Sequence, residues 1–277
     1  MRITARGLRL VILAAFAVFF VVPIVWLILA PTKPDGALVT RNPLSFGSFH
    51  QIALAWDHLD AFSDHIYRTW IGNSLLYALS ATAIVLATAI PAGYGLALGK
   101  FPGRRLVLTL TLVVMIMPAA ALVLPIFLEL NSLHLIGSVL SVILPFSFFP
   151  FGVYLAYLYY ATAIPRDLLD AARVDGANEY RIFWSIVLPN VRPALATMFI
   201  LFALEYWNNL LWPLIVFRNP ANMPLAVGLA SLVNQYKVSY DLVIAGTALA
   251  TLPVIALFVV LRRQFMEGAT SIGSGAH

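Results

Sequence analysis

D-A-A-R-V-D-G-A-N-E-Y-R-I-F-W-S-I-V-L-P, residues 170 to 189, is a charged segment inside a chain of which only 10% is charged. Eight charged side chains fall between positions 166 and 192: Arg166, Asp167, Asp170, Arg173, Asp175, Glu179, Arg181 and Arg192. A membrane protein that only has to reverse direction needs a short loop. A long, ordered, charged loop reads as a docking surface for another protein.

The local grammar is helix, turn, helix. Pro165 suits a first helical turn, where its missing N–H leaves nothing unpaired, and Asp167 sits at the positive end of the helix dipole. The first helix is expected to reach Val174, and Gly176 to end it with a left-handed backbone that glycine tolerates best. A second helix is expected from Ala177 to Val187, with Ile182, Phe183, Ile186 and Val187 on one face and Pro189 as its stop. Ala171 and Ala172 are small enough for a partner's surface to approach closely. A helix pair resting on lipid would explain the apolar face, but not the small residues and glycine turn beside so many charges.

Outward from this loop, the chain of 277 residues is 61% hydrophobic and 10% charged, beyond the range of soluble domains. Six apolar blocks, roughly 8–30, 71–98, 106–128, 136–160, 194–217 and 241–262, have the length needed to cross a ~30 Å hydrocarbon core as helices. No alternating pattern suggests a membrane barrel, so the expected fold class is all-α, a polytopic membrane protein with six transmembrane helices. The first block follows Arg2, Arg6 and Arg9, as a signal peptide would; its length and lack of a small-x-small cleavage site favour a retained anchor. With the N-terminus inside, 12 of the 17 Lys and Arg fall in inner segments, which puts both termini in the cytoplasm. The net charge of +5 then reflects topology, and its scatter does not suit nucleic acid.

Other chemistries find little support. With no cysteine, thiol catalysis and Cys-based metal sites are excluded, and the five histidines form no metal-binding pair; catalytic and metal residues are read as none. Gly93 to Lys100, G-Y-G-L-A-L-G-K, ends like a phosphate-binding loop, but the spacing is wrong and Phe101 replaces the Ser or Thr that such a loop needs. Gly95 and Gly99 are better read as a small-x-x-x-small packing pair. In the outer segment, F-H-Q-I-A-L-A-W-D-H-L-D-A-F from Phe49 is expected as a short amphipathic helix. Prolines interrupt several blocks: Pro118 and Pro125, Pro145 and Pro150, Pro213, Pro253. Such kinks suit helices that line a path and rearrange, or a static bent bundle.

The charged segment resembles the cytoplasmic E-A-A loop of binding-protein-dependent ABC importer permeases. That pattern is E-A-A, three residues, Gly, then I-x-L-P. Here it stands as Asp170-Ala171-Ala172, Gly176 and Ile186-Val187-Leu188-Pro189, with Asp170 one carbon shorter than the family's Glu. Pro150-Phe151-Gly152, Ile164-Pro165, Trp207-Asn208 and Trp212-Pro213-Leu214 are similar to the carbohydrate-uptake branch, of maltose or glycerol-3-phosphate type. The likeness covers about 70–265; the tail G-A-T-S-I-G-S-G-A-H departs from it. It implies an N-terminal anchor and outer loop at 1–69, a permease domain at 70–265 with its coupling loop at 161–193 between spans four and five, and a cytoplasmic tail at 266–277. It also implies ATPase docking through Asp170, Ala171, Ala172, Asp175, Gly176 and Pro189. The implied role is a non-catalytic subunit in a prokaryotic cytoplasmic membrane. Its implied partners are a second homologous permease, two ABC ATPase subunits carrying ATP and Mg, and an extracytoplasmic solute-binding protein. The chain itself would hold no cofactor. Sugar, sugar phosphate, polyol and amino sugar are the candidate solutes.

Glu205 stands near the middle of the fifth block, where a charge costs about 2.5–3.5 kcal/mol on insertion scales and so faces protein or water. Asn208 and Asn209 follow three and four residues on, along the same side. This polar stripe, with Tyr206 or Trp207 stacking on a sugar face, reads either as lining of a translocation path or as packing glue between helices. The rival to an ATP-driven importer is an ion-coupled secondary transporter, for which Glu205 is the sole mid-span carboxylate. A membrane enzyme would need clustered acid, base or metal groups at one membrane face, and none is present. A scaffold subunit would leave uptake intact when deleted.

Overall fold

Helix is the only regular structure among the described residues, which are 2–40, 42–233 and 240–274 of a computed structural model. Apolar runs of this length must satisfy their backbone internally when they enter lipid, and a helix does so within one segment. Five stretches are long and apolar enough to cross a membrane: Gly7–Thr32, Ile66–Leu98, Leu140–Ala163, Arg192–Val216 and Leu242–Arg262. A sixth crossing is available from a bent pair, α5 (Arg104–Met115) and α6 (Ala119–Ser132), if the two count as one span.

The chain divides into two compact units. The first combines Met1–Ile71 with Val227–Pro253. It begins with α1 (Arg2–Leu29), whose apolar window has no part buried inside the chain. Such a surface is untenable in water and ordinary against lipid or another apolar helix. After α2 (Asp35–Thr40) comes α3 (Phe49–Ala61), at the place of the expected amphipathic helix and started by Ser48, whose side chain accepts from Gln51 N. Three successive left-handed residues, Ser63, Asp64 and His65, lead into α4 (Ile66–Leu98). Here α4 packs against α14 (Leu225–Val233) and the start of α15 (Tyr240–Ser274). A Cβ on Gly228 would lie 2.2 Å from the Trp70 ring, and the Tyr67 hydroxyl donates to Gly246 O at 2.9 Å.

The second unit combines Gly72–Ala226 with Val254–His277. Its main core joins α4, α8 (Pro150–Ala163) and α12 (Arg192–Trp207). Ala78, Ala81, Val85 and Ala89 make a narrow stripe along α4, three and four residues apart, so the neighbouring helices approach closely. The glycine in that contact is Gly93, whose added Cβ would lie 2.5 Å from Ala156 Cβ. The expected Gly95–Gly99 pair is not the contact: Gly95 faces open space, and Gly99 closes back on Gly95 O at 3.1 Å past the end of α4. A second core gathers Tyr77, Leu130, Val142, Ile143, Trp212, Val216 and Phe217. There Trp212 Nε1 donates to Ser141 O at 2.7 Å and the Tyr77 hydroxyl to Asn222 O at 2.9 Å, so both buried polar tips are satisfied.

The third block departs from a straight span. α5 and α6 meet at a bend of 102° across Ile116, Met117 and Pro118. Pro118 takes φ −62° and ψ 127°, donates no N–H, and disfavours helix at the residue before it. Helices of 12 and 14 residues reach about 18 and 21 Å, each short of the hydrocarbon thickness. The fourth crossing also breaks, between α7 (Leu140–Ser147) and α8, so Pro150 starts a helix rather than kinking one. The fifth breaks between α12 and α13 (Leu211–Val216). Of the 266–277 tail, the backbone continues α15 to Ser274, and its last three residues lie outside the described ones.

Candidate functional site

The charged loop leaves α8 through Ile164 and Pro165, both extended, and Pro165 caps α9 (Arg166–Val174) from outside rather than opening its first turn. α9 ends in a Schellman motif. Gly176 N bonds Arg173 O and Ala177 N bonds Ala172 O, each at 3.0 Å, with Gly176 at φ +78°. The expected left-handed glycine is therefore present, and its requirement is conformational alone, because a Cβ there would meet nothing within 4 Å.

The second helix starts at Glu179, two residues later than expected, because Asn178 caps it by accepting from Arg181 N at 2.8 Å. α10 (Glu179–Arg181) widens into a π-helix over Ile182–Val187 and returns to α in α11 (Leu188–Asn190). Pro189 does not stop it, which corrects the expected terminus. Leu188 N reaches back five residues to Phe183 O, and the Asn190 side chain supplies Ile186 O with a donor at 2.6 Å. The wider turn and this side-chain donor accommodate a residue that has no N–H of its own.

Two faces result. Leu169 and Ala172 of α9, with Ile182, Phe183 and Val187, turn inward; all but Phe183 belong to the main core, and Phe183 lies against the Tyr94 ring at 5.0 Å between centroids. The apolar face is thus spent on the chain itself and not on lipid. Ala172, 7% exposed, cannot offer its methyl to a partner as expected. Facing out are Asp170, Ala171, Asp175 and Gly176, with Pro189 half-buried. Beside them stand large apolar groups that the sequence reading did not single out: Val174 at 88% exposure, Tyr180 at 74% and Trp184 at 51%. Their signal was present, since Tyr180 and Trp184 are four residues apart and offset from the inward-facing set.

An ion-pair clamp closes the Gly176 turn. Arg173 Nε donates to Glu179 Oε1 at 2.8 Å and Arg173 Nη1 to Asp170 Oδ1 at 2.8 Å, while the Tyr94 hydroxyl donates to Glu179 Oε2 at 3.1 Å. The two loop helices are therefore held to each other and to the end of α4. The Arg173 hydrogen bond, foremost, holds the Glu179 carboxyl below the usual carboxylate range. A depressed folded value stabilises above the unfolded one and is lost as pH falls through it. Glu179→Gln is thus expected to destabilise by about 0.5–1 kcal/mol at pH 7, discounted for exposure. The thermal-unfolding difference from wild type should begin to shrink as pH falls below the unfolded value of ~4.3 and vanish only below the depressed folded value; a difference that does not shrink on acidification would mean the ion pair is not its source.

At the break in the fifth crossing, Glu205 is exposed and makes no hydrogen bond or ion pair among the described residues. Asn208 donates to Leu204 O at 2.8 Å, and Asn209 Oδ1 accepts from Trp212 N at 3.4 Å, so the two amides finish α12 and start α13. Trp207 is half-buried against the main core. Tyr206 is buried, with its hydroxyl on Phe146 O at 2.9 Å, so it is not free to stack on a solute. Among the described residues no three His, Asp or Glu side chains gather as metal ligands.

Residues 89–266 match the family described as "Binding-protein-dependent transport system inner membrane component". The chain is 38% identical, over 92% of its length and 90% of the relative's, to the arabinooligosaccharides transport system permease protein AraQ of Bacillus subtilis (strain 168). It is 33% identical to the lactose transport system permease protein LacG of Rhizobium radiobacter, over 92% of this chain and 91% of that one. Among solved structures, a bacterial ABC transporter involved in the import of the acidic polysaccharide alginate shares the fold. Its TM-score is 0.83 at 24% identity, covering 95% of this chain and 97% of that one.

Proposed function

The chain belongs to the family of binding-protein-dependent transport system inner membrane components, and from that footing we propose that it is the membrane-spanning subunit of an ATP-driven importer for a sugar or sugar derivative. The sugar assignment is supported by relatives named for arabinooligosaccharide, lactose and maltodextrin transport. In this reading the chain lies in a prokaryotic cytoplasmic membrane with both termini and the 161–193 loop inside, supported by the bias of Lys and Arg toward those segments. It works with a second permease, two ATPase subunits that hold ATP and Mg, and an external solute-binding protein. It performs no chemistry of its own.

The observation that carries the reading is the two-faced loop. Its inner face is buried in the chain's own core, and its outer face presents Asp170, Ala171, Val174, Asp175, Gly176, Tyr180 and Trp184. Exposed apolar and aromatic groups set among charges at a rigid turn suit a protein partner. Ala172 and Pro189 support that surface from within. Closure of the ATPase pair would move the loop, and the clamp through Glu179 and Tyr94 would pass the motion to α4 as a rigid body. The test is purification of the chain from its native membrane with mass spectrometry of what accompanies it. An ABC ATPase and a second permease are the expected companions; a chain isolated alone and stable would contradict the reading.

Glu205, Trp207, Asn208 and Asn209 border the translocation path in this reading, at the break between α12 and α13. An exposed mid-span carboxylate also suits ion-coupled transport, the one alternative that an observation favours. The two separate cleanly, because ATP-driven uptake survives an uncoupler and ion-driven uptake does not. Glu205→Gln is expected to leave assembly intact and to lower uptake about tenfold, the scale of one hydrogen bond to a charged group. Unchanged uptake and affinity would assign Glu205 to helix packing instead.

A further inference from the structure

The turn between α4 and α5 borders an open hollow of about 700 Å³, which Tyr157 of α8 also lines. Three cations line it, Lys100, Arg104 and Arg105, and no carboxylate does. Arg104 is already occupied: its guanidinium donates to Leu96 O and to Ala97 O at 2.9 Å, supplying the open carbonyl end of α4. Lys100 and Arg105 are not. Among the described residues neither makes a hydrogen bond or an ion pair, and the Tyr157 hydroxyl makes no hydrogen bond either. The nearby loop carboxylates Asp170 and Glu179 are engaged by Arg173.

The hollow sits at the end of α4 where Tyr94 meets Glu179, hence at the same end of this unit as the charged loop. A turn between two apolar helices lies at a membrane boundary. From its mouth runs α5, a helix with no buried residue, whose Leu106, Val107, Leu110 and Val113 are all exposed. Leu108 joins this apolar surface to the hollow itself.

We propose that this hollow binds the phosphate headgroup of an anionic phospholipid, with the acyl chains lying along α5. Arg105 offers a planar fork that fits two phosphate oxygens, Lys100 a point charge, and Tyr157 a neutral donor. A soluble phosphate would satisfy the cations but make no use of the apolar surface that continues from the hollow through Leu108 along α5, which is why a lipid is the committed occupant. Positive charge at this boundary also directs topology, but that needs neither convergence on a hollow nor an unpaired hydroxyl. The inference rests on the membrane fold and is independent of the solute carried.

The test uses the full chain with its copurifying partners, delipidated in mild detergent and titrated with dioleoylphosphatidylglycerol or dioleoylphosphatidylcholine under native mass spectrometry. Wild type is expected to hold phosphatidylglycerol at least tenfold more tightly than phosphatidylcholine. Lys100→Gln with Arg105→Gln should remove that preference, roughly fivefold for each cation, while leaving phosphatidylcholine unchanged. Tyr157→Phe, which breaks no hydrogen bond inside the chain and leaves every topogenic charge in place, should weaken phosphatidylglycerol binding. Equal retention of the two lipids, or a preference that all these variants keep, would overturn the proposal. Displacement by soluble glycerol phosphate at comparable affinity would overturn the lipid as occupant and assign the hollow to a free phosphate.

Discussion

Gly176→Val should insert into the membrane at normal levels, yet lose the ATPase from the purified assembly by tenfold or more, with uptake falling in parallel. Gly176 holds φ +78° at the C-terminal turn of α9. An L residue in that region costs roughly 1–2 kcal/mol, and a β-branched one sits at the high end. Because a Cβ would meet nothing within 4 Å, steric overlap is not the cause. The strain is relieved by opening the turn, which pulls Ala177 N from Ala172 O and moves α10 relative to α9. Asn enters the left-handed region more readily, so Gly176→Asn should retain most of the ATPase. The check is the ATPase-to-permease ratio after affinity purification. If Val and Asn behave alike, with full transport, the shape of the turn is irrelevant to docking.

Val174→Asp is expected to have a still larger effect on association. Val174 is 88% exposed at the end of α9, so the free chain should tolerate the change and keep its unfolding temperature. Once covered by a partner, an unpaired carboxylate there costs about 3 kcal/mol, more than a hundredfold in affinity. Val174→Ala should lose far less, because it removes only two methyl groups. The measurement is binding of the purified ATPase to the reconstituted chain. A Kd unchanged by Val174→Asp would place the contact elsewhere on the loop, and loss of thermal stability would mean Val174 packs inside the chain.

The parts of this molecule legible in its sequence are those where one residue type carries one local demand. Apolar blocks of membrane length became helices, and Gly176 took the left-handed turn that its position after α9 required. Phe49 to Ala61 formed the expected helix. What misled was chemistry with more than one local solution. Pro189 reads as a helix stop, but a π-helical turn and the Asn190 side chain let the helix pass through it. Pro118 reads as a kink and is a bend of 102°. Gly93 and Gly95 are indistinguishable as letters, and only the register against Ala156 decides which one packs. Ala172 failed for the same reason: small residues serve close packing equally well inside the chain and outside it. Tyr180 and Trp184 stand at helical spacing, but beside Glu179 and Arg181 an exposed aromatic pair reads no differently from a buried one.

An ATPase covering the outer face of the 161–193 loop is the central claim. The chain has no cysteine, so Val174→Cys creates a unique thiol for a short photoreactive maleimide. The same probe at Leu133, exposed in the turn after α6, is the control. Illumination of native membranes should link position 174 to an ABC-type ATPase subunit, with the yield changing when ATP is added, and should leave position 133 free of it. A probe at 174 that reaches only lipid or nothing, while uptake remains intact, would contradict the account.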